Sequence, residues 1–251
     1  MTGRRRSRLG ARLAVLAAAL AAAPAGAYRP FVSTDADVAA LKTIEVELGY
    51  FGLAHSAGRT TAVEPQLVLN YGFLRDSEAV GEFQVNEPSG GPAAVSEGLL
   101  AVKHVWREGQ LQGIPGPSVA SETNILLPGG AGVDQPRFGF LQAFMVSHRL
   151  GGMTFHWNLG AGVDQDSARL FVTWGLIGEL PLTRTIRLVG EINGQGERES
   201  SAENSGLVGL IWETGWRDAA FDAGVRRGLA AVDPAYALTA GVSIPFAVGR
   251  E

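Results

Sequence analysis

Polar and apolar positions alternate with a period of two through most of the chain after residue 27. In Thr43–Leu53, Ile44, Val46, Leu48 and Tyr50 share one side, with Thr43, Glu45, Glu47 and Gly49 on the other. Successive strand side chains point to opposite faces, so this pattern predicts a strand that is greasy on one face and carboxylate-bearing on the other. The alternation returns with Val63, Pro65, Leu67, Leu69 and Tyr71 against Glu64, Gln66, Val68 and Asn70, and with Phe155, Trp157 and Leu159 against Thr154, His156, Asn158 and Gly160. It recurs in Arg169–Leu180, in Ile186–Asn193 and in Ala219–Arg227. The cleanest run comes last, with Tyr236, Leu238, Ala240, Val242, Ile244 and Phe246 on one face. Weaker alternation marks residues 78–86, 97–107, 117–127, 137–147 and 204–214, so the sequence predicts about twelve strands, within a range of 10–14.

The connections alternate in length. Those after strands 2, 6, 8 and 10 are short, and those after strands 3, 5 and 9 are longer and rich in Gly, Pro, Ser and Asp. Short turns on one rim, long loops on the other and an even strand count describe an antiparallel up-and-down transmembrane β-barrel with short periplasmic turns and longer external loops. The connection Arg107–Pro115 breaks the rule, being long on the short-turn side. A soluble β-sandwich would alternate as well. Segment lengths near those needed to cross a bilayer with tilt, aromatics such as Trp106, Trp212 and Tyr236 at strand ends, and mid-strand Glu, Arg and Asn favour the barrel. Closure follows from backbone chemistry, since an open sheet edge in lipid leaves amides unpaired at a few kcal/mol each.

Charge changes the picture at the N-terminus. Arg4, Arg5, Arg6, Arg8 and Arg12 precede the apolar run Leu13–Ala23 and the triplet Ala25-Gly26-Ala27, which reads as a signal peptide over residues 1–27, cleaved after Ala27. The apolar core is too short for a spanning anchor. Ser7 and Arg8 stand where a twin-arginine signal would carry apolar residues, which favours the general secretory route. Taking five leader arginines from the 21 basic residues leaves 16 against 25 acidic, a net charge of −9 in place of −4. An acidic chain with no basic stripe is a poor nucleic-acid ligand. The absence of cysteine closes off disulfides, thiolate metal sites and cysteine nucleophiles. The expected organisation is a leader (1–27), a short periplasmic segment (28–42) and a barrel domain (43–251).

Several short stretches resemble a known family. Arg29-Pro-Phe-Val-Ser-Thr-Asp-Ala36 followed by Glu45-Val-Glu47-Leu-Gly49, then Leu100-Ala-Val-Lys103, Gly116-Pro117 leading to Leu126-Leu-Pro128, His156-Trp-Asn-Leu-Gly160 and Gly190-Glu-Ile192 occur in the family's order. Phe221-Asp-Ala-Gly-Val-Arg-Arg-Gly-Leu229 and Gly241-Val-Ser-Ile-Pro-Phe246 resemble its last two strands. The layout is similar to outer-membrane barrels labelled transporters or phenol-degradation (meta-pathway) proteins. The resemblance implies an outer-membrane location in a Gram-negative-type cell and uptake of small aromatic or hydrophobic compounds. One departure is that five residues follow Phe246, where such barrels end on the aromatic read by the assembly machinery.

The candidate solute path is the set of lumen-facing charges Glu45, Glu47, Glu64, Lys103, His156, Arg169, Arg187, Glu191, Asp222 and Arg226. Opposite signs on neighbouring strands could form a selective constriction, or a paired network filling a narrow interior. Asp222 and Arg226, four apart on one face, suggest a salt bridge. Nucleophilic catalysis has little support: there is no G-x-S-x-G motif, Ser147 and His148 point to opposite faces, and His156 has Thr154 and Asn158 as same-face neighbours but no nucleophile among them. The four histidines lack metal-ligand spacing, and Gly130–Gln135, repeated as Gly160–Gln165, suits external turns better than a calcium repeat. The sequence therefore predicts a passive, non-enzymatic channel or transporter without cofactor or metal. Its partners would be outer-membrane lipid, the barrel-assembly machinery and a small solute. A structural or surface-interaction barrel and an outer-membrane lipid hydrolase are the alternatives.

Overall fold

In the computed structural model, which describes residues 29–56, 59–88, 94–128, 137–197, 202–230 and 235–249, twelve strands close into one antiparallel barrel. The strands are β1 (Thr43–Ser56), β2 (Arg59–Leu74), β3 (Ser77–Pro88), β4 (Ala94–Arg107), β5 (Ser118–Leu126) and β6 (Gly139–Leu150). They continue as β7 (Met153–Val163), β8 (Leu170–Pro181), β9 (Ile186–Glu197), β10 (Glu203–Glu213), β11 (Ala220–Gly228) and β12 (Tyr236–Ala247). Each strand pairs with its sequence neighbours, and β1 closes on β12 from Thr43↔Ala247 to His55↔Tyr236. No helix among the described residues is long and apolar enough to cross a membrane; the fold crosses with strands. The signal-peptide reading falls on residues outside the described set, as does the first copy of the repeated hexapeptide. The second copy is not a loop: Gly160–Val163 belong to β7, and only Asp164 and Gln165 enter the turn.

Alternation sets the two faces of the wall. Leu69, Tyr71, Leu100, Val102, Trp157, Leu159, Val172, Val208 and Leu210 face outward and are exposed, whereas Glu45, Glu47, Asn70, Lys103, His156, Glu191 and Asp222 face the lumen and are buried. Phe73, Trp106, Trp212, Trp216, Phe221 and Phe246 gather at the short-turn rim, while Phe138, Phe140 and Tyr236 lie at the loop rim. An apolar outer band flanked by aromatics is the surface a bilayer requires.

Residues 29–42, which the sequence assigned to a short periplasmic segment, run inside the barrel. Arg29 lies at mid-height beside β1, β11 and β12, and Val32–Thr34 cross to β9, β8 and β7. Ala36 then passes β6, Ala39 reaches β3, and Leu41 bridges to Gly72 before β1 begins. Ala36 and Val38 join Val105, Ala120 and Met145 in one buried apolar cluster, while Phe31 packs on Val189, Leu207 and Ile211 in another. Apolar residues on the inner wall thus have a partner, and burying them against the segment removes them from a wet lumen. Glycines make room for it: a Cβ at Gly72 would collide with the carbonyls of Ala39 and Ala40, and one at Gly175 with Ser33 Oγ.

The connection between β4 and β5, the exception to the turn rule, has a physical role. It folds into a short 3-10 helix, Gln110–Gln112, at the short-turn rim. From there Gln112 Nε2 donates to the Ala36 carbonyl and to Asp37 Oδ1, both at 2.9 Å. The extra length builds a latch on the inner segment.

Candidate functional site

A chain without regular structure inside a barrel must have its backbone amides met by side chains or water, because no ladder supplies partners. The inner wall meets them one by one. Glu191, on β9, accepts from Ser33 N at 2.7 Å and from Val32 N at 3.1 Å. Asn158, on β7, accepts from Thr34 N at 3.1 Å and donates to the Thr34 carbonyl at 2.7 Å. Ser147 Oγ, on β6, accepts from Ala36 N at 2.9 Å, and Glu78 Oε2, on β3, accepts from Ala39 N at 2.6 Å. The polar residues in mid-strand are therefore acceptors for a docked segment as much as a lining.

Charge pairs reinforce the docking. Lys103 Nζ, fully enclosed, lies 3.2 Å from Asp35 Oδ1 and 3.7 Å from Glu78 Oε1, and donates to Thr34 Oγ1 at 3.1 Å. Arg226 Nη2 meets Glu191 Oε2 at 2.6 Å, and its Nη1 donates to Ser205 Oγ and Asn193 Oδ1. Arg29 Nε lies 3.4 Å from Asp222 Oδ2. Asp222 and Arg226 do not pair with each other, contrary to their spacing. At roughly 3.3 Å of rise per residue, strand positions four apart stand about 13 Å from one another, beyond side-chain reach. On the segment itself, burial and the neighbouring Asp35 carboxylate push Asp37 up to about 6, although Gln112 and the Val38 amide bond the charged form.

Of the sequence-predicted site residues, Glu45, Glu47, Lys103, His156, Arg187, Glu191, Asp222 and Arg226 stand on the inner wall. Asn70 Nδ2 donates to Glu47 at 2.7 Å. Arg187 bridges Glu179 at 2.8 Å and Glu213 at 3.1 Å near the short-turn rim. Arg169 departs from the expectation. It precedes β8 at the loop rim, half exposed, and pairs with Glu197 at 3.6 Å, because the strand begins one residue later. Glu64 lies in β2, and its side chain is outside the described residues.

Sequence reasoning missed the partner of His156. The β6–β7 register sets Ser147 opposite His156, and Ser147 Oγ meets His156 Nδ1 at 2.7 Å; Glu179 Oε1 is 4.0 Å from Nε2. Hydroxyl, imidazole and carboxylate stand in line as in a hydrolase. Yet Ser147 is fully buried and its Oγ already receives the Ala36 amide, so the cluster holds the segment and presents no accessible nucleophile.

Two cavities flank the segment. The larger, of about 500 Å³, is lined by Asn158, Thr173, Asn193, Gln195, Ser205 and Arg226 among others, and the smaller, of about 250 Å³, by Arg29, Asp35, Glu47, Gln66, Glu78 and Lys103. They meet between Val32–Thr34 on the segment and Glu82, Leu99, Glu122 and Leu141 on β3–β6. Glu82 and Glu122 were not among the sequence candidates. Their strands alternate weakly, although the inner-face spacing Glu122–Asn124 carried the signal. Among the described residues no cluster of His, Asp or Glu is arranged to hold a metal ion.

No protein-family profile matches the chain, and a comparison with curated proteins returns no match. Among solved structures, an outer membrane channel from Pseudomonas putida F1 is similar at 12% identity and a TM-score of 0.58, over 86% of this chain and 100% of that one. The translocator domain of the autotransporter NalP from Neisseria meningitidis aligns at 13% identity and a TM-score of 0.44, over 96% of this chain and 95% of that one. The closed twelve-strand wall, its apolar outer band and the first of these likenesses agree: the chain has the fold of an outer-membrane β-barrel.

Proposed function

We propose that this protein is a passive, non-enzymatic outer-membrane channel for small polar solutes, narrowed by its own N-terminal segment. The observation that carries the reading is the pair of adjoining cavities, which share lining residues on Val32–Thr34 of the segment and on β3–β6 of the wall. Passage needs no cofactor or energy source, because a wet, charge-lined constriction selects by size and sign alone. The charged side chains where the cavities meet are both carboxylates, Glu82 and Glu122 on the wall. That lining supports polar, preferentially cationic solutes over the aromatic compounds that the family resemblance implies. Export with removal of residues 1–27 is part of the proposal.

The test is reconstitution of the purified chain in planar bilayers, with salts, charged organic ions and aromatic acids offered in turn. Discrete conductance steps with cation preference are expected. Silence towards all of them would overturn the channel and favour a structural barrel whose lumen is simply filled.

A further inference from the structure

Arg29 sits in a niche whose shape is written into both strands at the barrel's closure. Gly49 of β1 and Gly241 of β12 are directly paired in the ladder, and both face the lumen. The Arg29 guanidinium lies over this bare floor: a Cβ at Gly49 would stand 2.6 Å from Nη1 and 2.9 Å from Cζ, and one at Gly241 would collide with Nε. Around the rim of the niche, Nη1 donates to Gln66 Oε1 at 2.8 Å, and Nη2 donates to Thr239 Oγ1 at 3.1 Å and to the Ala240 carbonyl at 3.4 Å. A planar, forked cation over a side-chain-free floor, ringed by acceptors, is recognition of a guanidinium rather than of any positive charge.

The fit is incomplete. Asp222 closes the fourth side with its side chain 97% buried, yet it meets Arg29 only through Oδ2 and Nε at 3.4 Å. Asp222 Oδ1, enclosed, accepts no hydrogen bond from any described residue, and Arg29 Nε makes none. A buried carboxylate oxygen without a donor costs free energy that a better-placed donor would recover. Arg29 is tethered to Pro30 and Phe31, whose ring is fixed on Val189, Leu207 and Ile211, so its fork is not free to turn onto both carboxylate oxygens. An untethered guanidinium is.

We propose that this niche is a binding site for small guanidinium compounds, with Arg29 as its built-in occupant. A free guanidinium solute competes with Arg29 for Asp222, Gln66 and Thr239 and so loosens the start of the segment. The proposal rests on the channel reading only for the solute's passage; the site stands or falls by binding. It names a substrate class for the acidic lumen: small cations that carry a guanidinium.

Calorimetric titration of the refolded full chain in detergent, with barrel closure checked by heat-modifiable migration on a gel, tests it. Agmatine is the probe and putrescine, with an amine in place of the guanidinium, is the control. Removing the tethered competitor in Arg29→Ala is expected to tighten agmatine binding at least tenfold over the parent protein, to leave putrescine unaffected, and to lose its effect when Asp222→Asn is added. Arg29→Lys, which keeps the charge but not the fork, serves the same comparison should the alanine variant fail to close. Equal gains for agmatine and putrescine, no gain in either variant, or a gain that survives Asp222→Asn would each overturn the site. Agmatine binding in a barrel that is silent in bilayers would overturn the channel and leave the site standing.

Discussion

Replacing Glu191 with glutamine isolates what holds the segment in the lumen. The Glu191 carboxylate accepts two backbone amides, from Val32 and Ser33, and meets Arg226 at 2.6 Å, with its side chain fully enclosed. Glutamine has nearly the same shape but keeps one acceptor oxygen and sets an N–H against groups that are themselves donors. Hydrogen bonds to a charged group contribute about 1.5–3 kcal/mol each. Arg226 retains Ser205 and Asn193 and some access to water, which offsets part of the broken pair. A docking loss of about 2–3 kcal/mol remains, or roughly 30- to 150-fold more time undocked at about 1.4 kcal/mol per tenfold. Hydrogen exchange read by mass spectrometry on the N-terminal peptide measures it directly, since the Val32 and Ser33 amides are the ones released. The Ala36 and Ala39 amides, bonded to Ser147 and Glu78, speed up by the same factor if the segment leaves as a unit. Exchange within about threefold of the parent, equivalent to well under 1 kcal/mol, would refute the assignment of Glu191 as a docking residue.

Two further outcomes follow from the same contacts. Gly175→Val places a side chain where Ser33 Oγ lies; the barrel should still close, as a heat-shifted gel band, while added protease cleaves between residues 29 and 42 far faster than in the parent. Asp37 has its acid form favoured in the docked segment, where it titrates at about 6 against an ordinary value of 3.8. The contribution of Asp37 to docking is therefore full below the ordinary value, is lost as pH rises from about 4 through about 6, and is level above that. Exchange protection of the segment, corrected for intrinsic rates, should fall between pH 4 and 7, and Asp37→Asn should flatten the profile.

Much of the wall was legible because one physical constraint wrote it. Strands facing lipid on one side and water or charge on the other must alternate, and β1, β7, β8 and β12 do so plainly. Four of the weakly patterned stretches belong to β4, β5, β6 and β10, and these carry Val105, Ala120, Met145, Leu207 and Ile211 on the inner face. There the N-terminal segment replaces water, so both faces are apolar and the period-two signal fades. The blurred strands were thus the sequence's record of the docked segment, readable only once the segment's place is known. The same holds for the site. Inner-face charges could be named from parity, but their partners depend on register across the barrel, which set Ser147 against His156 and left Asp222 to Arg29 rather than Arg226. The long β4–β5 connection looked anomalous for the same reason, since its latch function exists only in relation to Ala36 and Asp37.

A lumen narrowed by the chain's own N-terminal segment is tested most directly by single-channel conductance with and without residues 29–40. Both proteins are refolded and shown to close by heat-modifiable migration, then recorded in the same salt. The contacts described above predict a small unitary conductance for the intact chain and a several-fold larger one for the deletion, with weaker cation preference as Asp35 and Asp37 are removed. Equal conductance and selectivity in the two proteins would contradict the account.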